Sequence, residues 1–160
     1  MKRRWLIFLG AVTALPAFQG FAQESGKAAP QVILFVCEHG AAKSVIAAAH
    51  FNRLASEKGL PYRAITRGVN PDQEIPSRIV GGLAGDGLDV SGWKPQKVSD
   101  ADVAHADRVI TLACSLPKKE SGKAVKVTEW NDVPEGAGYE ATRKAILDRV
   151  TELVNALAKK

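Results

Sequence analysis

Short unbroken apolar runs alternate along this chain with longer stretches in which apolar residues recur at helical spacing. VILFV (32–36) is continuous and partly β-branched, which suits a strand buried on both faces. YRAIT (62–66), RVITLA (108–113) and VKVTEW (125–130) read as three further strands. A helix is expected from Ser44 to about Lys58, with Val45, Ala48, Ala49, Asn52 and Leu54 as a loose inner face and Gly59 as its C-cap. PSRIVGGLAGDG (76–87) predicts a weak helix, because Gly81 and Gly82 each cost about 1 kcal/mol against Ala. Ser99 and Asp100 are capping candidates for a short helix over 98–106. From Gly138 onward Ile146, Val150, Leu153, Val154 and Leu157 predict a closing amphipathic helix.

Strand and helix therefore alternate, which argues for an α/β fold with a parallel sheet, helices on its faces and right-handed crossovers. There is no internal repeat, and 160 residues suit one core. In such a sheet the ligand site lies beyond the carboxyl ends of the strands, so the informative residues are those that follow them.

One apolar run falls outside this alternation. Lys2, Arg3 and Arg4 precede WLIFLGAVTALPAF (5–18), which is followed by the small residues Gly20 and Ala22. That order is the plan of a secretory signal peptide, and the run is too short, and broken by Pro16, for a spanning helix. The expected organisation is a signal over 1–22, a linker over 23–31 and one domain over 32–160, exported to a compartment such as the bacterial periplasm. Cleavage after Ala22 removes three of the 22 basic residues and none of the 17 acidic ones, lowering the net charge from +5 to +2 on 138 residues. No general basic footprint for nucleic acid remains, no stable membrane association is expected after cleavage, and any anion preference must be local. The hydrophobic fraction of 46% excludes a disordered chain, and two cysteines exclude a disulfide scaffold.

Cys37 stands directly after the first strand, and CEHGAAK (37–43) leads into a helix beginning near Ser44. Such a loop can converge its main-chain N–H groups on one point while the helix N-terminus adds about half a positive charge. An oxyanion fits there, and the same field favours a thiolate at Cys37, making it a candidate nucleophile. By itself C-x5-K is equally a buried strand-end thiol with a basic first turn; the strand before it, the helix after it and a downstream acid give it meaning. That acid is Asp132 in EWNDVPEG (129–136), expected on the same sheet edge, although Asp and Pro together also simply make turns.

ILFVCEHGAAKS, ITRGVNPD, DVSGWKPQKVSDADVAHADRVITL and EWNDVP, in this order, resemble the low-molecular-weight protein tyrosine phosphatase family and its relatives, the arsenate reductases of phosphatase fold. The resemblance implies a four-stranded parallel sheet ordered 2-1-3-4 in a flavodoxin-like three-layer sandwich, and a two-step phosphoryl transfer that needs no metal or cofactor. It implies that Cys37 attacks phosphorus and that Asp132 protonates the leaving oxygen and then helps activate water. Ser44 matches the hydroxyl that hydrogen-bonds the sulfur, and Glu38, His39, Gly40, Ala41, Ala42 and Lys43 supply the phosphate loop. Gly40 stands where the family usually has Asn, a replacement that a positive φ tolerates.

Lys43 occupies the place of the signature Arg. Lys is a mobile point charge where Arg grips two equatorial oxygens, a loss on the order of 2 to 4 kcal/mol in the transition state. Glu38 beside an anion must face solvent or pair with a cation such as Lys43, and His39 is a loop residue that could carry a proton. The aromatic pair that sandwiches a phenyl ring in the tyrosine phosphatases is missing after Asp132. Tyr139 and Trp130 lie near, and Trp93 suits either pocket or core. Cys114 follows the third strand, where arsenate reductase relatives carry a redox cysteine, so Cys37 and Cys114 could act as a reductase pair or close a structural disulfide. The thioredoxin-coupled relatives use a third cysteine soon after, and this chain has none. Three functions thus stand side by side: a phosphatase-like hydrolase of phosphate monoesters, an arsenate reductase, and a non-catalytic oxyanion binder.

Overall fold

The computed structural model describes residues 29–117, 126–134, 136 and 138–159. The expected signal segment and cleavage site, most of the expected linker and Val125 lie outside the described residues. Eight elements follow in order: β1 (Gln31–Cys37), α1 (Lys43–Glu57), β2 (Tyr62–Gly68), α2 (Ser77–Gly85), α3 (Asp100–His105), β3 (Arg108–Leu112), β4 (Val127–Trp130) and α4 (Gly138–Leu157). The strands form one sheet in the order β2-β1-β3-β4, and every pairing is parallel. This is the flavodoxin-like α/β arrangement expected from the sequence.

β1 is central and buried because its side chains serve both faces in alternation. Ile33, Phe35 and Cys37 join the main core with α1, α2 and α4, whereas Leu34 and Val36 join a smaller cluster with Val103 of α3. Phe35 anchors the main core, with its ring 6.0 Å from that of Phe51 and 5.7 Å from that of Trp130. Trp130 is thus a core residue, and Trp93 packs half-buried against the same core. α4 presents Ile146, Val150, Val154 and Leu157, all buried, as its helical spacing predicts.

The helix ends follow local chemistry. Ser99 caps α3 through a reciprocal box with Asp102. α1 is capped by Lys58, one residue before the Gly59 expected there, and Gly59, with φ of +63°, turns the chain just beyond, where its N–H reaches the Ser56 carbonyl and the Leu60 N–H reaches that of Ala55. Its start is different: neither α1 nor α2 has a side-chain cap or an acidic residue in its first turn. Among the described residues no helix is long and apolar enough to cross a membrane, and no cluster of three metal-ligating side chains occurs.

Candidate active site

The loop between β1 and α1 is fixed by what it leans on. The carbonyls of Cys37, Glu38 and His39 accept from the N–H groups of Val69, Asn70 and Asp72 at 3.1, 2.8 and 3.1 Å. A trans peptide points its N–H opposite to its C=O, so the N–H groups of Glu38, His39 and Gly40 turn the other way. Among the described residues those of His39, Gly40, Ala41 and Ala42 have no carbonyl partner, and Ile46 donates to Ala42 at 2.9 Å. A row of unused donors at a helix start is what an oxyanion requires.

Gly40 has φ of +60°, and the space around it is stricter than the sequence suggests. A Cβ there would stand 2.6 Å from the Gly68 nitrogen, and one on Gly68 would stand 2.7 Å from the Gly40 nitrogen. A positive φ alone would admit Asn; this contact with the end of β2 admits only glycine. Gly68 is held in turn by its N–H to the Gln96 carbonyl and its carbonyl to the Val98 N–H, both at 2.8 Å.

Cys37 is 4% exposed, and its thiol donates to Ser44 Oγ at 3.2 Å. Thr66 on β2 donates to that same oxygen at 2.6 Å, and Ser44 is fully buried. With one proton already received from Thr66, Ser44 can turn its own towards the sulfur when a thiolate forms. Thr66 was not singled out from sequence, since a threonine in a strand is an ordinary residue; only the register that sets β2 beside β1 reveals it.

Cys37, Glu38, His39, Ala42 and Lys43 open onto a cavity of about 660 Å³, closed by Ile46, Arg78, Ile79, Ala113, Pro134 and the first turn of α4 with Tyr139 and Thr142. Ala41 is buried, so it and Gly40 serve the loop through their main chain. Glu38 is exposed, as an acid beside an anion site is expected to be, and Asn70 donates to its carboxylate at 2.6 Å. His39 lies 3.3 Å from Asp72, with both largely exposed.

Asp132 lies on the loop after β4, at the expected sheet edge, but the structure does not bring it into the cavity wall. Its carboxylate, well exposed, is engaged by Arg149 of α4, whose guanidinium stands 5.9 Å from the centre of the Trp130 ring. An ion-pair partner that arrives from a helix seventeen residues downstream is invisible to loop-by-loop reading.

Cys114 sits in a different setting from Cys37. Both are free thiols. Leu112 is the register partner of Cys37, and the chain leaves β3 through Ala113 at φ of +50°, which puts Cys114 in the smaller cluster on the opposite face of the sheet. Its thiol donates to the Val36 carbonyl at 3.4 Å, and burial pushes its pKa up to about 11.

A second polar cluster stands on the far side of α1. Asp86, just past α2, accepts both guanidinium arms of Arg143 at 2.5 Å and the Tyr139 hydroxyl at 3.1 Å. The buried His50 faces the same carboxylate at 3.4 Å, and Arg53 donates to the Asp86 carbonyl at 2.8 Å. Arg143 above all holds the Asp86 carboxyl below its ordinary pKa. Burial, aided by Arg53, holds His50 below its own, so the imidazole is neutral at pH 7. Tyr139 links this cluster to the cavity, and its ring lies where a Cβ on Gly82 would be, 2.3 Å from the nearest ring carbon.

Residues 32–160 match the family model described as low molecular weight phosphotyrosine protein phosphatase. The chain belongs to this family. A putative arsenate reductase of Halobacterium salinarum is 28% identical over 125 residues, covering 74% of this chain and 87% of that protein. Among solved structures, a thioredoxin-dependent arsenate reductase of Corynebacterium glutamicum superposes with a TM-score of 0.68 at 24% identity, covering 82% of this chain. This chain spans only 63% of that protein's length. A low molecular weight protein tyrosine phosphatase from T. tengcongensis gives a TM-score of 0.62 at 21% identity, covering 81% of this chain and 98% of its own. A phosphatase and an arsenate reductase thus share the fold of this chain.

Proposed function

We propose that this protein is a cysteine-dependent phosphatase-like enzyme that hydrolyses a phosphate monoester in two displacements. The Cys37 thiolate attacks phosphorus, the bond to the ester oxygen breaks, and that oxygen leaves with a proton. Water then attacks the cysteinyl-phosphate, returning the thiolate and releasing inorganic phosphate. The observation that carries this reading is the hydroxyl chain from Thr66 through Ser44 to Cys37 at the mouth of the unused loop N–H groups. It supports the sulfur as a nucleophile in the first step and as a leaving group in the second. Asp132 supplies the leaving-group proton after it is released from Arg149, and Lys43 offsets the phosphoryl charge without the bidentate grip of Arg. Following the apolar N-terminal run, we also propose that the enzyme acts after export.

Purified, reduced protein freed of residues 1–22 should turn over p-nitrophenyl phosphate. Cys37→Ser should abolish that activity, Asp132→Asn should lower it, and Lys43→Arg should raise it. Unchanged activity in Cys37→Ser and Asp132→Asn rules the mechanism out, and saturable phosphate binding without turnover leaves an oxyanion binder.

The second reading is arsenate reduction, favoured by the two named reductases and by Cys114 at the end of the strand beside β1. There the Cys37 thiolate bonds to arsenic, the Cys114 thiolate attacks the Cys37 sulfur, and the electron pair passes to arsenic, releasing arsenite and leaving a disulfide. A thiol held on the other sheet face with its pKa near 11 is a poor attacking group, and this is why hydrolysis is preferred. Loss of two free thiols per chain on adding arsenate would reverse the preference.

A further inference from the structure

The cavity is too large to be explained by a phosphoryl group alone. Its volume of about 660 Å³ is that of a small-molecule site, and the oxyanion loop occupies only one end. Ile46, Ile79, Pro134 and Tyr139 supply apolar walls for an organic group. Among these walls stands one cation outside the loop, Arg78 of α2.

Arg67, Arg143 and Arg149 each meet a carboxylate of this chain. Arg78 has no hydrogen-bond or ion-pair partner among the described residues, although it borders the same cavity as Cys37 and Lys43. Among the described residues Glu38, next to Cys37 in the chain, is held by Asn70 and makes no ion pair with Arg78. An unpaired guanidinium keeps its planar fork of donors available, and that fork matches an oxyanion held at two oxygens.

We infer that Arg78 is a specificity-determining residue that recognises a second negative charge on the organic part of the substrate. The preferred substrate class is then a phosphate monoester whose apolar body carries an acidic group, with the phosphoryl end at Cys37 and the acidic end at Arg78. This inference rests on the hydrolase reading only for the word substrate; the binding it asserts does not require turnover.

Two non-hydrolysable ligands test it, phenylphosphonate and 4-carboxyphenylphosphonate, titrated calorimetrically into the reduced protein. The expected result is about tenfold tighter binding of the carboxylated ligand, a preference abolished in Arg78→Gln, partly retained in Arg78→Lys and weakened by added salt. The ratio of the two dissociation constants is the readout. Equal affinities in the unmodified protein, failure of both ligands to bind, or a preference that persists in Arg78→Gln would each overturn the inference. Hydrolysis of the corresponding phosphates is measured in parallel. An Arg78-dependent ratio without hydrolysis sinks the phosphatase reading alone, and hydrolysis without such a ratio sinks the inference alone.

Discussion

Two polar clusters, one buried and one partly buried, flank α1, and they are built in opposite ways. Beneath the cavity, Thr66 and Ser44 form a chain of hydroxyls that ends on the sulfur of Cys37. Beside α2, Asp86 is a carboxylate surrounded by Arg143, Tyr139, Arg53 and His50. In the second cluster the charge is matched in the resting protein, so it fixes three helices. In the first, the loop N–H groups above the sulfur stay available for the charge of a bound oxyanion. Satisfaction makes a clamp, and spare capacity makes a reactive site.

The comparison is broken most forcefully at Asp86. Asp86→Ala leaves Arg143 and His50 without their carboxylate, and chemical denaturation should show a loss of about 3 kcal/mol. Stability unchanged within error would mean that the ionic cluster holds nothing. Next comes Gly82. Helix propensity alone predicts that Gly82→Ala stabilises by about 1 kcal/mol, whereas the Tyr139 ring predicts a net destabilisation of about 1 to 2 kcal/mol. A rise in Tm would show that the ring is not seated there.

Thr66→Val should separate the clusters from the other direction. It removes the donor to Ser44 at nearly constant shape, so kcat should fall about tenfold while stability changes by less than about 1 kcal/mol. An equal effect on both would make this cluster structural as well.

The pH dependence is more gradual. His50 has its pKa lowered in the folded state, so the unfolded chain binds more protons and stability falls as pH drops below the ordinary value of 6.5. Asp86, also lowered, adds a further loss once pH falls below its ordinary 3.8. His50→Gln should flatten the denaturation midpoint just below pH 6.5 and leave the more acidic limb. Smallest in effect, Cys114 in a Cys37→Ser background should be alkylated at a rate that climbs about tenfold per pH unit until pH nears 11. A plateau near pH 8 would restore it as a credible redox partner.

Much of the architecture was legible in sequence, because continuous apolar runs such as VILFV can only be strands covered on both faces. Ser99 marked a helix start and Gly59 the turn after a helix through chemistry that is local, and the strand-to-helix turn from Cys37 to Lys43 was legible for the same reason. What escaped was relational. Thr66 gains its role from strand register, Arg149 claims Asp132 from another element, and the costly Gly82 makes sense only against a ring from α4. Cys114 was placed beside Cys37 correctly as a neighbour in the sheet, but the pleat and the turn at Ala113 send it to the other face.

The contact between Gly40 and Gly68 has a consequence for how this site can evolve. Neither position can acquire a side chain while the other stays where it is, and enlarging both only deepens the collision. A lineage altering its chemistry therefore has to drift elsewhere, through the cavity walls and the first helical turns, while these two positions remain frozen. The two glycines that pin the loop to the end of β2 thus act as one unit written in two distant places of the chain.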